Sequence, residues 1–256
     1  VDLMDQVKGL LTIQAKAEEQ VVPTYGSDGH REIMDAFEAE AMPIEERIRS
    51  EMTLLFKAQS ADLAERLRGQ TLPARPAGKA AEPEEDDEEE WLALALLLLL
   101  IAYPGTEWQD WTLKIGYRLQ PLLEAAYRMG AERAAVELGI AVPGNVQARA
   151  QAWVASRRAE ASTLINDTTW RRVNQEAAAA LKAGETIEQV IARVAKTMTD
   201  RAGVGAAAIA VTEVFTAANE GGMAVHELSG LVAEHAWVPR LDSRVRDAHR
   251  KLHGQR

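Results

Sequence analysis

The sequence predicts a mainly α protein, an elongated multi-helix bundle that closes with a small C-terminal α+β element. Three observations predict it. Hydrophobic residues make up 47% of the 256-residue chain and aromatic ones only 5%, with Ala and Leu dominant. Ala and Leu are strong helix formers, whereas strands favour β-branched and aromatic side chains. Apolar residues recur three and four apart over long stretches, the spacing that gathers them on one helix face. Pro and Gly mark off most of these stretches.

Taken in order, Val1 to Val22 reads as a helix, ended by Val22-Pro23 and the loop Tyr25-Gly26-Ser27-Asp28-Gly29. His30 to Ala41 reads as a second helix. Pro43 suits the first turn of a third, where its missing N–H costs nothing. In that third helix Ile44, Ile48, Met52, Leu55, Phe56, Leu63 and Leu67 form one stripe, and Gly69 closes it. Residues 70–90 are a linker, punctuated by Pro73, Pro76, Gly78 and Pro83. Its acid run from Glu82 to Glu90 buries nothing and favours the start of the next helix at Trp91 through the helix dipole.

The apolar run from Trp91 to Tyr103 has 13 residues. A bilayer requires about 20, so a buried core helix is expected and no membrane partner. Pro104-Gly105 breaks the run. A helix from Glu107 to Gly139 follows, with Leu113, Leu119, Leu122, Leu123, Ala126 and Tyr127 in its apolar set and Pro121 bending or dividing it. Pro143-Gly144 is a stop. Asn145 caps a long helix to Ala183, and Gly184 caps its C-terminus. Thr186 and Gln189 form a capping box for a short helix to Thr199. Another helix runs from Gly205 to Ser229 and ends at Gly230. Val232 to Val238 is the expected strand, and Asp242 or Ser243 caps a terminal helix through Leu252. Four regions follow: 1–69 helical, 70–90 acidic linker, 91–144 helical, and 145–256 as a C-terminal domain.

The net charge of -10 is unevenly spread. Glu82 to Glu90 holds eight acids, whereas Trp237 to Arg256 carries five Arg and one Lys against Asp242 and Asp247. One acidic block and one basic end suit partners of opposite charge. Arg240, Arg244, Arg246, Arg250 and Lys251 are the candidate DNA- or partner-binding residues, by sequence-independent and salt-sensitive phosphate contacts. The acidic block is a solvated loop on the plain reading. On the sharper one it mimics DNA or docks a basic partner.

Catalytic chemistry has little support. Without cysteine there is no disulfide, thiolate metal site or Cys nucleophile. His249 and His253 share a helix face near Asp242, but Arg250 and Lys251 lie between them and oppose a bound cation. Glu213, within an apolar helix, reads as a structurally paired carboxylate rather than a catalytic one. Arg201-Ala-Gly-Val-Gly205 lacks the Lys and the glycines of a phosphate loop. Neither a catalytic residue, a metal nor a cofactor is expected.

Leu164 to Gln255 holds a series of ordered blocks. They are Ile165-Asn166-Asp-Thr168-Thr-Trp170; Gly184-Glu-Thr-Ile-Glu188; Arg201-Ala202 with Ile209-Ala-Val-Thr-Glu213; Ala218-Asn219-Glu-Gly221 with Ser229-Gly230; and Trp237, Leu241-Asp242-Ser-Arg244-Val-Arg246-Asp-Ala-His249 and His253-Gly254-Gln255. In their order and spacing these blocks resemble the phage Mu F-like minor head protein family, also called phage head morphogenesis proteins. Asn166, Thr168, Glu213, Asn219, Trp237, Asp242, His249 and Gly254 are the structural motif positions so implied. Val211 stands where the family usually has Arg. Many relatives also carry a Cys-x-x-Cys pair after the Asp, where this chain has Arg-Val-Arg-Asp-Ala-His.

The resemblance implies a non-enzymatic minor head component of a tailed phage or prophage, acting in head assembly and in DNA packaging or ejection near the portal. The implied partners are the portal protein, the major capsid protein or both, and phage DNA. The implied location is the head interior or portal vertex, with the bacterial cytoplasm as the place of assembly. Val1 and the stop at Arg256 fit a portion of a longer protein, such as a domain fused after a portal protein, with a closing segment missing. The competing readings are a helical adaptor that binds a basic partner through the acidic loop, and a hydrolase or transferase using Glu213, Asp242 and the histidines.

Overall fold

The computed structural model of the chain describes residues 27–72, Trp91 and 105–232. The described residues are helical: α1 (Asp28–Arg68), α2 (Gly105–Leu138), α3 (Val146–Lys182), α4 (Ile187–Asp200) and α5 (Ala206–Ser229), with a π-helical turn, Arg201–Gly205, between the last two. Among these residues there is no strand. The helix of Val1–Val22, the linker of 73–90, most of the apolar run to Tyr103 and the terminal helix lie outside the described residues. So does the strand expected from Val232 to Val238, except that Val232 itself is in no strand.

Four expectations are corrected. Two helices meeting at Pro43 were expected, but α1 runs through it. Pro43 removes a single backbone donor, a local cost that a helix with a long buried stripe absorbs. A gap between Thr199 and Gly205 was also expected. There the backbone widens into the π turn and helicity continues to Ser229. Leu113, placed in the apolar set of α2, is 57% exposed. Pro121 likewise sits inside α2 rather than dividing it.

Other sequence signals act as read. Gly184 ends α3 at φ 74°, a left-handed conformation that costs a glycine little. Its N–H donates to Leu181 O at 2.9 Å and the Glu185 N–H to Ala180 O at 3.0 Å, the paired bonds of a Schellman ending. At the start of α4 the Gln189 backbone N–H donates to Thr186 Oγ1 and the Thr186 N–H to Gln189 Oε1, closing the capping box. The Glu188 carboxyl beside it is held below its ordinary range, first by a backbone N–H and then by the Thr186 hydroxyl. Thr186→Ala is expected to lower stability by about 1 kcal/mol, read as an earlier denaturant midpoint at unchanged slope.

The contacts divide the chain into two compact units, each built from separated stretches. Among the described residues one unit holds 27–45, 122–154 and 212–232. Its core is Met34, Ala41, Leu122, Leu123, Ala126, Tyr127, Ala131, Val154, Val214 and Val225. Phe37 meets Phe215 at a ring distance of 4.6 Å, and Tyr127 meets Trp153 at 5.6 Å. The Arg133 guanidinium lies 5.5 Å from the Phe37 ring and donates to Ile33 O at 3.2 Å. Arg149 pairs with Glu227 at 2.6 Å and more loosely with Glu220 at 3.9 Å.

The other unit holds 46–72, Trp91, 105–121 and 155–211 of the described residues. The stripe predicted for α1 is its spine: Ile48, Met52, Phe56, Leu63 and Leu67 are all buried. Trp111, Ile115, Leu119, Ile165, Val173, Leu181, Val190, Val194 and Met198 complete the core. Trp108 and Trp170 stack tilted at 4.9 Å.

One helical run among the described residues, Ile187–Ser229, is long and apolar enough to cross a membrane, with a hydropathy of 1.3 over its most apolar window. Its Val214, Ala217, Ala218 and Val225 lie in the core of the first unit, and Glu213 is buried on the same helix. A buried carboxylate within an apolar helix suits a protein core better than lipid.

Candidate functional site

Two built features stand out, one in each unit. In the first, α2 and α5 meet backbone to backbone. A Cβ placed on Gly221 would fall 1.9 Å from Tyr127 O and 3.0 Å from Ala131 N. A Cβ on Gly130 would fall 1.8 Å from Ala218 O. No carbon approaches a carbonyl oxygen that closely, so both positions require the bare Cα of glycine. Ala126, Ala131, Ala134, Ala217, Ala218 and Ala224 are buried in the same unit. Small residues let two helices approach closely and gain dispersion energy along both backbones. Tyr127 is fully buried there. Burial pushes its hydroxyl above the ordinary tyrosine range, and the Arg149 charge opposes that shift.

In the second unit Asn166 is the hub of a buried polar network. It is fully buried. Its Nδ2 donates to Trp108 O and to Thr112 Oγ1, both at 2.8 Å, and its Oδ1 accepts from Gln59 Nε2 at 3.1 Å. Gln59 is itself 2% exposed. One side chain thus joins α1, α2 and α3. An amide does this well because it offers two donors and an acceptor in one plane. Thr169, one turn along α3, is also buried and turns its hydroxyl inward to Ile165 O at 2.8 Å.

Arg201 opens the π turn and is buried at 7% exposure, its guanidinium 5.1 Å from the Phe56 ring. Thr53 on α1 donates to the next carbonyl, Ala202 O, at 2.7 Å. An expelled residue in a π turn leaves a backbone carbonyl available for such a bond.

The structure places the residues anticipated from the sequence as follows. Asn166 is the network hub. Thr168 is half-buried, and the inward threonine is its neighbour Thr169. Glu213 is buried at 4% exposure. Asn219 is exposed, and the inward members of its block are Ala218 and Gly221. Trp237, Arg240, Asp242, Arg244, Arg246, His249, Arg250, Lys251 and Gly254 lie outside the described residues. Sequence reading missed Gln59, Thr112 and Gly130. Gln59 carried a signal, since it occupies an inward position three residues after Phe56 and four before Leu63. A polar residue in an apolar stripe marks a buried hydrogen-bonding partner. Among the described residues no group of three His, Cys, Asp or Glu side chains is arranged to hold a metal ion.

Comparison with known proteins adds one finding. The family described as Phage Mu protein F like protein matches residues 171–256, about a third of the chain. No curated protein and no solved structure matches. The match begins five residues beyond Asn166, so the hub precedes it, while the capping box, Arg201, Glu213 and the Gly221 crossing lie inside it. From Arg171 onward, the chain bears the sequence pattern of the Phage Mu protein F like family, in agreement with the resemblance carried by its ordered blocks.

Proposed function

We propose that this chain is a structural, non-enzymatic minor head component of a tailed phage or prophage. On this reading it acts in head assembly and in DNA packaging or ejection near the portal. The family match over residues 171–256 carries the reading. The helical body is suited to the task. Its two built features, a glycine-dependent helix crossing and a buried amide hub, give rigidity rather than a reacting centre. The partners are the portal protein, the major capsid protein or both. The site of action is the head interior or portal vertex, after assembly in the bacterial cytoplasm. A portal-fused domain is one arrangement of the same function. A second reading, an adaptor for a basic partner, rests on the eight acids between Glu82 and Glu90.

The basic end is the proposed DNA contact. Replacing Arg244, Arg246 and Arg250 together with Ala is expected to weaken binding to duplex DNA of any sequence. The slope of log affinity against log salt should fall by about 3, one unit for each lost phosphate contact. Fluorescence anisotropy over a salt series reads both. Unchanged affinity and slope would remove the tail from DNA binding. The genes flanking this one test the wider reading, since portal and protease genes are expected beside it.

A further inference from the structure

We propose that α1 and α2 flex at Pro43 and Pro121, the points at which each helix passes from one compact unit into the other. Each proline sits near the middle of a long helix, of 41 residues in α1 and 34 in α2. α1 changes unit between Glu45 and Glu46, two residues after Pro43, and α2 changes between Pro121 itself and Leu122. A change of unit and a missing ladder bond thus coincide in two separate helices. The side-chain ties place the prolines alike. Arg133 of α2 donates to Ile33 O of α1 at 3.2 Å, and Arg118 of α2 pairs with Glu51 of α1 at 3.5 Å. Pro43 falls between the two ties on α1, and Pro121 falls between them on α2.

Proline has no N–H, so the ladder lacks the bond to the residue four earlier, Ala39 in α1 and Tyr117 in α2. Both prolines and both of those residues are exposed, Tyr117 at 67%. Water can therefore serve the freed carbonyls, and a bend that opens on that side widens a gap the proline has already made. α5 has slack of its own. Thr53 of α1 ties the π turn at Ala202 O, and Phe37 of α1 meets Phe215. Between those ties lie Gly203, Val204 and Gly205 of the π turn and the change of unit from Val211 to Thr212. Wide turns, like prolines, are places where helices bend. α3 changes unit between Val154 and Ala155 with neither device, and is the uninterrupted member about which the others flex. Each core lies within its own unit, so flexing leaves both packed. A partner that touches both units would select one bend from those the free chain samples.

This inference does not depend on the head-assembly reading. The chain has no cysteine, so introduced ones can be spin-labelled selectively. Leu54→Cys with Val136→Cys, both at exposed positions, reports across the prolines. Leu54→Cys with Leu113→Cys, also exposed, reports within one unit. Pulsed double electron–electron resonance on the full chain is expected to give a broader distance distribution for the first pair than for the second. Pro43→Ala together with Pro121→Ala restores both donors in a residue that favours helix. It is expected to narrow the first distribution to the width of the second, and to leave the second unchanged. Pro121→Ala alone should narrow the first in part, and keeps the test open if the double variant does not fold. A first distribution as narrow as the second in the parent, or a width that the alanines leave unchanged, would overturn the proposal.

Discussion

Gly221→Ala is expected to lower the stability of the protein by about 3 kcal/mol or more, against the general rule that alanine favours a helix. The rule alone gives alanine an advantage of roughly 1 kcal/mol. Overpacking a core costs about 1–3 kcal/mol, and more where nothing can move aside. At Gly221 the obstacle is the backbone of α2, since the new carbon would lie 1.9 Å from Tyr127 O. The two helices must part by more than an ångström, and the packing of Ala126, Ala134 and Val225 loosens with them. Gly130→Ala meets Ala218 O at 1.8 Å and should behave alike. Gly203→Ala is the internal control. Nothing lies within 4 Å of its added carbon, so it should be neutral or stabilising by about 0.5–1 kcal/mol. Denaturant unfolding of the three variants measures the contrast. A Gly221→Ala protein as stable as the parent would remove the close crossing from the account.

Asn166→Leu is expected to cost roughly 2–4 kcal/mol. Leucine keeps the number and branching of the side-chain heavy atoms, so the larger part of the loss is polar, with overpacking by its bulkier methyl groups adding to it. The change strips the buried Gln59 amide of its acceptor and frees Thr112 Oγ1 from a donor at 2.8 Å. Leaving buried polar groups unpaired costs about 1–3 kcal/mol apiece, whereas removing both members of a pair costs far less. Gln59→Leu with Asn166→Leu should therefore be more stable than the sum of the single changes, by about 1 kcal/mol or more. Strict additivity in this double-mutant cycle would mean that the two amides do not interact.

Legibility in the sequence followed the range of the interactions involved. The Thr186–Gln189 box and the Gly184 ending were legible because their partners lie within four residues in the chain. The α1 stripe was legible because burial at Ile48, Met52, Phe56, Leu63 and Leu67 repeats with the helix itself. The Gly221 crossing was not. The block Ala218-Asn219-Glu-Gly221 stood out only by family resemblance, and which of its members faces α2 depends on a helix ninety residues away in sequence. The same holds for Thr168 and Thr169, one inward and one half-buried, which differ only in helical phase. Gln59 was readable in principle as a polar residue on an apolar stripe. Pro43 and Arg201–Gly205 misled for one reason: breakers act on local propensity, and burial along both sides of each outweighed it.

On the proposed function, residues 171–256 make this chain part of a phage head. The most direct measurement is co-assembly. The chain would be produced together with the portal and major capsid proteins encoded beside it, and the particles separated by sedimentation and analysed by quantitative mass spectrometry. The account predicts the chain in the particle fraction at a few copies per head, and its loss from that fraction when residues 171–256 are deleted. A chain that remains wholly in the soluble fraction, with portal and capsid assembled without it, would contradict the claim.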